Sequence, residues 1–430
     1  MFLTSVRSLF ILLILLAAAG SFACSYRTPE TARVEAAVEV PEMSADPEVN
    51  AALDFIRKTP DSTAGYNQLA VLYIKQARKT GDFSIYGAAE TAVGKALKVD
   101  PKDFTARRLQ SSLHLTYHRF SEALALGNDL NAETPNDAFV FGVLTDANVE
   151  IGNYDEAVRS AQKMVDLKPN TASYARVAHI RSLYGDHSGA VEMFKLAART
   201  ADPADAEARA WCLVQLGDEF WKNGKYGDAE KVYDEALTVF PDFYLALAGK
   251  GRVRAAQNDL ESAITFLTDS LNRVPNVETA ILLGDIYTKQ GNVEKAKQQY
   301  GLVEVIEQKT GVNNDQKRLA LLWADQNIRL DDALAITTRE YEGRKDIFTA
   351  DALAWCLYKK GRLDEAKKAI TAAMVPKAND ARILYHAGMI AKASGSMAEA
   401  KRLISNAIKL NPAFDLLQAD EAKRELEELK

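Results

Sequence analysis

Apolar residues recur along most of the chain at the three- and four-residue spacing of amphipathic helices. Within this pattern an alanine, often preceded by Gly-x-Tyr, Gly-x-Leu or Gly-x-Val, marks a regular interval. It occurs at Ala89, Ala123, Ala157, Ala190, Ala229, Ala263, Ala296, Ala333, Ala366 and Ala400, at intervals of 34, 34, 33, 39, 34, 33, 37, 33 and 34 residues. So constant a period predicts a stack of similar helix pairs instead of one globular core.

Two units carry the fullest set of marker residues. They read Leu216-Gly217-x-x-Phe220…Gly224-x-Tyr226-x-Asp228-Ala229…Tyr233…Ala236…Pro241 and Leu283-Gly284-x-x-Tyr287…Gly291-x-Val293-x-x-Ala296…Tyr300. These units resemble the tetratricopeptide-repeat family, and the resemblance covers about residues 47–430. It implies an all-α fold, a right-handed α-α superhelix (a repeat solenoid) of about ten helix-turn-helix repeats with capping helices. It also implies that other proteins are the partners.

The ends and irregular intervals of the array carry further predictions. Residues 49–59 are predicted to form a capping half-repeat, and residues 414–430, with alternating Glu and Lys, a solvating C-terminal cap. The two long intervals place a bend or a lengthened helix near 201–206 and 308–315. An insertion at 81–83 indicates either a longer first helix or a projecting loop.

The N-terminal residues follow the pattern of a signal peptide over 1–23, with Arg7 before an apolar run and small residues before Cys24. Cys24 at the first mature position resembles a bacterial lipoprotein, which implies lipidation of its thiol. Cleavage by an ordinary signal peptidase after Ala23 and an uncleaved signal anchor are the alternatives. Residues 24–46, with two prolines and scattered Glu, are predicted to form a flexible tether.

Charge and cysteine content narrow the class of partner. The net charge is -6 and no Lys/Arg cluster stands out, so nucleic acid is not expected as a partner. Cys212 and Cys356 lie in repeats four units apart, too far for a disulfide, and are predicted to be reduced and buried.

No catalytic or cofactor site is predicted. His114 and His118 have the spacing of two metal ligands on one helix face, but no third ligand accompanies them. His179, His187 and His386 are isolated from one another, and phosphate-binding loops, nucleophile elbows and CxxC pairs are absent from the sequence. We therefore expect no enzyme activity, no metal, no cofactor and no small-molecule substrate.

The first helices of such repeats line a concave groove, where aromatic and Arg residues usually supply much of the affinity for a partner. The repeat register places in this groove Arg108, Asp146, Arg176, His179, Asp218, Trp221, Arg252, Asp285, Asp351, Trp355, Tyr358 and Tyr385. Trp221 directly follows the core residue Phe220 and is expected to point away from the layer interface. Gly142, Asp146, Ala175 and His179 occupy the places where a carboxylate clamp would need Lys and Asn, so that binding mode is not expected.

The leading hypothesis is a protein-binding scaffold of the bacterial cell envelope, held on a membrane by a lipid on Cys24. Ser25, a non-aspartate after the cysteine, favours the outer membrane and a domain facing the periplasm. A soluble periplasmic or secreted protein is the alternative localisation. The alternative function is an accessory assembly subunit of an envelope polysaccharide, pilus or secretion machinery.

Overall fold

The computed structural model of the protein describes residues 44–310, 316–377 and 379–429. The predicted signal peptide, Cys24 and the tether as far as residue 43 lie outside the described residues, as do residues 311–315 of the second long interval. No helix in the described ranges is both long enough and apolar enough to span a bilayer.

The described residues form helices and connecting turns, with no strand among them. The helices are α1 (Pro47–Lys58), α2 (Thr63–Thr80), α3 (Ile85–Val99), α4 (Phe104–Thr116), α5 (Phe120–Glu133), α6 (Ala138–Glu150), α7 (Tyr154–Leu167), α8 (Thr171–Leu183), α9 (His187–Arg199), α10 (Ala206–Lys222), α11 (Tyr226–Val239), α12 (Tyr244–Ala256), α13 (Leu260–Arg273), α14 (Val277–Lys289), α15 (Val293–Thr310), α16 (Lys317–Asp325), α17 (Leu330–Gly343), α18 (Ile347–Lys359), α19 (Leu363–Ala373), α20 (Ala381–Ala393), α21 (Met397–Leu410) and α22 (Gln418–Glu428).

Consecutive helices pack as ten pairs, from α2·α3 to α20·α21, with α1 before the first pair and α22 after the last. The first helices of most neighbouring repeats also contact each other, which places them together on the inner, concave side. Nine of the ten marker alanines are fully buried, and Ala296 is 5% exposed. The all-α superhelix of ten repeats predicted from the period is thereby confirmed.

The glycines explain how closely the pairs approach. The ring of Tyr233, which is fully buried, lies between Gly217 of its own repeat and Gly249 of the next. A side chain at either position would meet that ring, so glycine is required on both sides. Gly224 ends the turn after α10 with a φ of 69°, a left-handed conformation that favours glycine over other residues.

The irregular intervals are absorbed mainly by longer helices. The 39-residue interval contains α10, which has 17 residues against 13 in α8 and α12. Likewise α15 has 18 residues against 14 in α13, and the insertion near residue 81 extends α2 to 18 residues. The structure thus favours the lengthened-helix alternative for α2 and for the 39-residue interval, whereas the residues that follow α15, 311–315, lie outside the described residues.

Successive turns of the superhelix touch each other along a seam. The Lys345 amide donates to the Glu150 carbonyl at 2.8 Å, and the Ile347 amide donates to Tyr154 Oη at 3.0 Å. Farther along, Tyr226 Oη donates to Asn411 Oδ1 at 2.5 Å. The partners in the last two contacts are 193 and 185 residues apart. Since the period is near 34 residues, one superhelical turn takes between five and six repeats.

The C-terminal segment departs from the prediction. Instead of only covering the end of the stack, residues 411–428 run along the concave side: the Gln418 side-chain Nε2 donates to Asp325 of α16 and Lys289 Nζ of α14 donates to Asp420, both at 2.7 Å. Phe414 is 4% exposed. This segment packs on the concave side because α22 and the loop before it have an apolar face. The alternating charged residues of α22 made that face hard to recognise in the sequence.

Candidate binding surface on the concave face

A cavity of about 810 Å³ lies on the concave side. Its walls come from six successive first helices, α10 to α20, and from residues 411–424 of the C-terminal segment. Each first helix contributes one strip of side chains because the repeats stack with the same face inward. The cavity is therefore a product of the repeat register together with the returning C-terminus.

Six of the twelve predicted groove residues line this cavity: Asp218, Trp221, Arg252, Asp285, Asp351 and Trp355. His179 instead lines a separate small cleft beside Phe348 and Asp380. Arg108, Asp146 and Arg176 lie on the first helices α4, α6 and α8, away from the cavity walls. The predicted groove residues are therefore divided between the two halves of the solenoid.

In the first half the predicted residues pair with each other between repeats. Arg176 makes two hydrogen bonds to the carboxylate of Asp146, at 2.9 and 2.6 Å. Arg108 donates to Asp137, the N-cap of α6, at 2.8 Å. His179 is exposed, but its position inside the concave face partly desolvates the imidazole and, with the nearby Lys222, lowers its pKa.

Trp221 sits at one end of the cavity in a polar network. The Arg252 guanidinium lies 4.8 Å from the centre of the indole ring and pairs with Asp218. Tyr233 Oη also donates to Asp218, at 2.6 Å, and burial raises the pKa of this tyrosine well above its usual range. The buried Trp221 Nε1 has no hydrogen-bond partner within the described residues. Trp221 thus lines the cavity, with its ring against the Arg252 guanidinium.

At the other end the structure corrects the sequence prediction. Tyr385 is fully buried and packs on Phe414, with ring centres 5.5 Å apart, so it does not face a groove. Trp355 is 2% exposed and stacks on His386 at 4.0 Å and on Tyr358 at 4.9 Å. These aromatic side chains project inward as predicted, but they pack against each other and beneath the C-terminal segment.

Asp351 belongs to the same buried cluster. It is 3% exposed, and its carboxylate oxygens lie 2.9 and 3.1 Å from His386 Nδ1. The carboxylate is therefore occupied by an internal partner. Its predicted contact with another protein stays a prediction, for a residue that lines the cavity but is 3% exposed.

Sequence reasoning missed Asp325, whose carboxylate accepts hydrogen bonds from Trp355 Nε1 and Gln418 Nε2, both at 2.7 Å. The position of Asp325 within its repeat could have identified it as a concave-side residue. Asp325 lies eight residues before Ala333, as Trp221 lies eight before Ala229. Nothing in the pattern, in contrast, could have placed the C-terminal segment over the concave face, because that contact joins residues far apart in sequence.

Local structure also bears on the two closely spaced histidines and on the two cysteines of the repeats. Helix α4 ends at Thr116 and His118 has a φ of 56°, so His114 and His118 do not share a helix face as predicted. Within the described ranges, no three His, Cys, Asp or Glu side chains converge as a metal site would require. Cys212 and Cys356 are free and buried, as predicted, and burial raises the pKa of each thiol to about 12.

Ten antiparallel helix pairs with a shared concave surface define a helical-repeat scaffold for protein interactions. Protein-family models of the tetratricopeptide repeat match the sequence at residues 214–278, 277–303 and 381–414. With the helix pairs that continue the same period outside those ranges, they identify the chain as a tetratricopeptide-repeat protein. No curated protein matches the sequence.

Several solved structures are similar at low identity. A chain of the APC/C hetero-tetramer Cut9-Hcn1 is 16% identical, covering 88% of this chain and 67% of that one, with a TM-score of 0.46. PilW, a widely conserved type IV pilus biogenesis factor, is 16% identical over 47% of this chain and 93% of its own, with a TM-score of 0.41. A tetratricopeptide repeat protein from Parabacteroides merdae is 18% identical over 60% and 98%, with a TM-score of 0.35. No role is carried over from them.

Proposed function

We propose that this protein is a non-enzymatic scaffold of the bacterial cell envelope that binds segments of partner proteins on its concave face. The observation that carries the proposal is the cavity of about 810 Å³ bounded by six first helices. A surface built from several repeats suits an extended peptide or a helix better than a small molecule. Trp221, with its unpartnered indole N–H and the adjacent Arg252, is the side chain we expect to contribute most.

Photo-crosslinking tests this function. A benzophenone amino acid replaces Trp221 in one variant of the full chain and Val158 in another, expressed in the native envelope. Val158 lies on the second helix α7 and is 42% exposed, so it is a matched position on the opposite side of a repeat. We expect specific envelope proteins to crosslink at position 221 and not at 158. Equal products at both positions, or none at 221, would reject concave binding.

The proposed location has its own test. Export follows from the signal-peptide pattern, and the lipid on Cys24 would hold the solenoid on the periplasmic face of the outer membrane. Cys24→Ser should move the protein from the membrane fraction to the soluble fraction. If the substituted protein still sediments with membranes, lipid anchoring through this cysteine is wrong. Components of a polysaccharide, pilus or secretion machinery among the crosslinked proteins would support the alternative role in assembly.

A further inference from the structure

Two carboxylates facing the cavity have no cation of their own. Asp285 accepts a hydrogen bond from Tyr300 Oη at 2.8 Å, and Asp325 accepts the two from Trp355 and Gln418 described above. All three donors are neutral groups. Within the described residues neither carboxylate forms an ion pair, although both belong to the cavity wall.

Several of the eight cations in the same wall are already engaged, although Lys359 and Arg424 form no ion pair with a carboxylate within the described residues. Four of them pair with other carboxylates: Arg252 with Asp218, Lys289 with Asp420 at 2.7 Å, Arg318 with Glu278 at 3.1 Å, and Arg382 with Asp415 at 3.0 Å. The wall thus contains anions and cations in similar numbers, but the pairing leaves a local excess of negative charge at Asp285 and Asp325. Asp415 lies near both of them, and Arg382, which pairs with Asp415, acts in the opposite direction on each.

A buried acceptor without a donor points to the same place independently. Gln418 is 7% exposed and lines the cavity, and its carbonyl Oε1 has no hydrogen-bond partner within the described residues. Its amide nitrogen is fixed by Asp325, so the carbonyl oxygen cannot exchange places with it without losing that bond. A buried carbonyl left unpaired costs free energy, which a donor from a ligand would recover.

The titration behaviour agrees with a missing counter-ion. Desolvation inside the cavity, and then the nearby Asp415, raise the pKa of Asp325, whose side chain is exposed, to about 6 and hold the pKa of the half-buried Asp285 well above its usual range, while Arg382 lowers both pKa values. A cation bound between them would reverse this shift, because an adjacent positive charge favours the ionised carboxylate.

We propose that Asp285, Asp325 and the Gln418 carbonyl form a subsite for a primary ammonium or guanidinium group, supplied by a Lys or Arg side chain of a bound protein segment. Oxygen acceptors alone suit a group that only donates hydrogen bonds. The apolar wall residues Leu282 and Leu321 give the aliphatic stem of such a side chain a surface to pack on. The proposal rests on the proposed function, since the partner segment supplies the cation. A free polyamine carries the same chemistry and is separated by the test.

The test uses 19F NMR of the full mature chain labelled with fluorotryptophan. Trp355 donates to Asp325, so its signal reports directly on the subsite, and a Trp355→Phe variant assigns it among the four tryptophans. The probes are the capped tripeptides Gly-Lys-Gly and Gly-Arg-Gly, the neutral isostere Gly-norleucine-Gly, and spermidine. We expect the two cationic peptides to shift the Trp355 signal in a saturable manner and the norleucine peptide to leave it unchanged.

Conservative variants localise the effect. Asp285→Asn and Asp325→Asn keep an acceptor for their present donors, and each should weaken binding of the cationic peptides at least about tenfold. Asp269→Asn, at an exposed position of α13 away from the cavity, is the matched control and should change nothing. No Trp355 response to either peptide, or equal affinity in the Asp285 and Asp325 variants, overturns the subsite. Spermidine binding without peptide binding overturns the protein-segment source.

The outcomes separate this inference from the proposed function. If crosslinking at position 221 succeeds while the cationic peptides do not bind, the scaffold role stands and the subsite is wrong. If the peptides bind at Asp285 and Asp325 but no protein crosslinks on the concave face, the subsite stands as a cation site and the scaffold role fails.

Discussion

Packing between neighbouring repeats depends on space for the Tyr233 ring, and Gly249→Ala tests that dependence. A Cβ at position 249 would lie 2.5 Å from Cε1 and Cζ of Tyr233. Carbon atoms pack at about 3.5–4.0 Å, so the ring would have to move by roughly 1 Å. It cannot move freely, because Gly217 lies against its other side and Asp218 holds its hydroxyl at 2.6 Å.

The magnitude follows from two opposing effects. Alanine is favoured over glycine inside a helix by about 1 kcal/mol, whereas overpacking a well-packed site costs about 1–3 kcal/mol. With the ring held on both sides we place the cost at the upper end, which gives a net destabilisation of about 1–2 kcal/mol. The matched control is Gly94→Ala, at an exposed position in α3 with open space around it, where only the gain of about 1 kcal/mol applies.

The assay is unfolding monitored by far-ultraviolet circular dichroism, with hydrogen exchange of α11 and α12 as the local readout. Gly249→Ala should lower the unfolding midpoint and Gly94→Ala should raise it slightly. In a Tyr233→Leu background, Gly249→Ala should lose most of its effect, since the ring it meets is gone. Two substitutions that shift stability in the same direction, or an undiminished effect without the ring, would refute this account of the repeat interface.

Three further predictions follow from the buried groups. Phe414→Ala should destabilise the chain by about 3 kcal/mol in the same unfolding assay and increase hydrogen exchange in α20. Met397→Ala, at a position that is 51% exposed, should do neither. Equal effects of the two substitutions would mean that the C-terminal segment is not packed on the concave side. In a Cys24→Ser protein, Cys212 and Cys356 should resist a thiol reagent at pH 8 until the chain unfolds. With a pKa of about 12, only roughly one thiol in ten thousand is ionised at that pH. Rapid labelling of the native protein would contradict the burial of these two cysteines. The Trp355 19F signal of the free protein should titrate near pH 6, because Asp325, to which Trp355 donates, gains its proton below that pH. Asp325 also faces Asp415, His386 and Arg382. If the titration is unchanged in Asp325→Asn, another group causes the change in the signal.

The sequence was sufficient to predict the architecture because each repeat repeats its local rules. A small residue such as Ala229 is needed wherever two helices cross closely, and a left-handed residue such as Gly224 wherever a pair turns. Those requirements recur every 34 residues or so and were therefore visible by arithmetic. The number of pairs, their order and the burial of Cys212 and Cys356 follow from the same register.

The candidate site was predicted only in part, because its shape depends on contacts between distant repeats. The register correctly placed Trp221 and Asp285 on the concave side. It could not show that residues 411–428 return over that side, nor that Tyr385 would be covered by Phe414 as a result. These contacts arise from the superhelical turn of five to six repeats, and no local pattern encodes which side chains that turn brings together.

We expect the first helices, and not the outer second helices, to bind the partner. Hydrogen–deuterium exchange of the full chain, measured with and without a partner captured by crosslinking, tests it most directly. We expect new protection in α10, α12, α14 and α16, with α11, α13 and α17 unchanged. Protection confined to those second helices would contradict it.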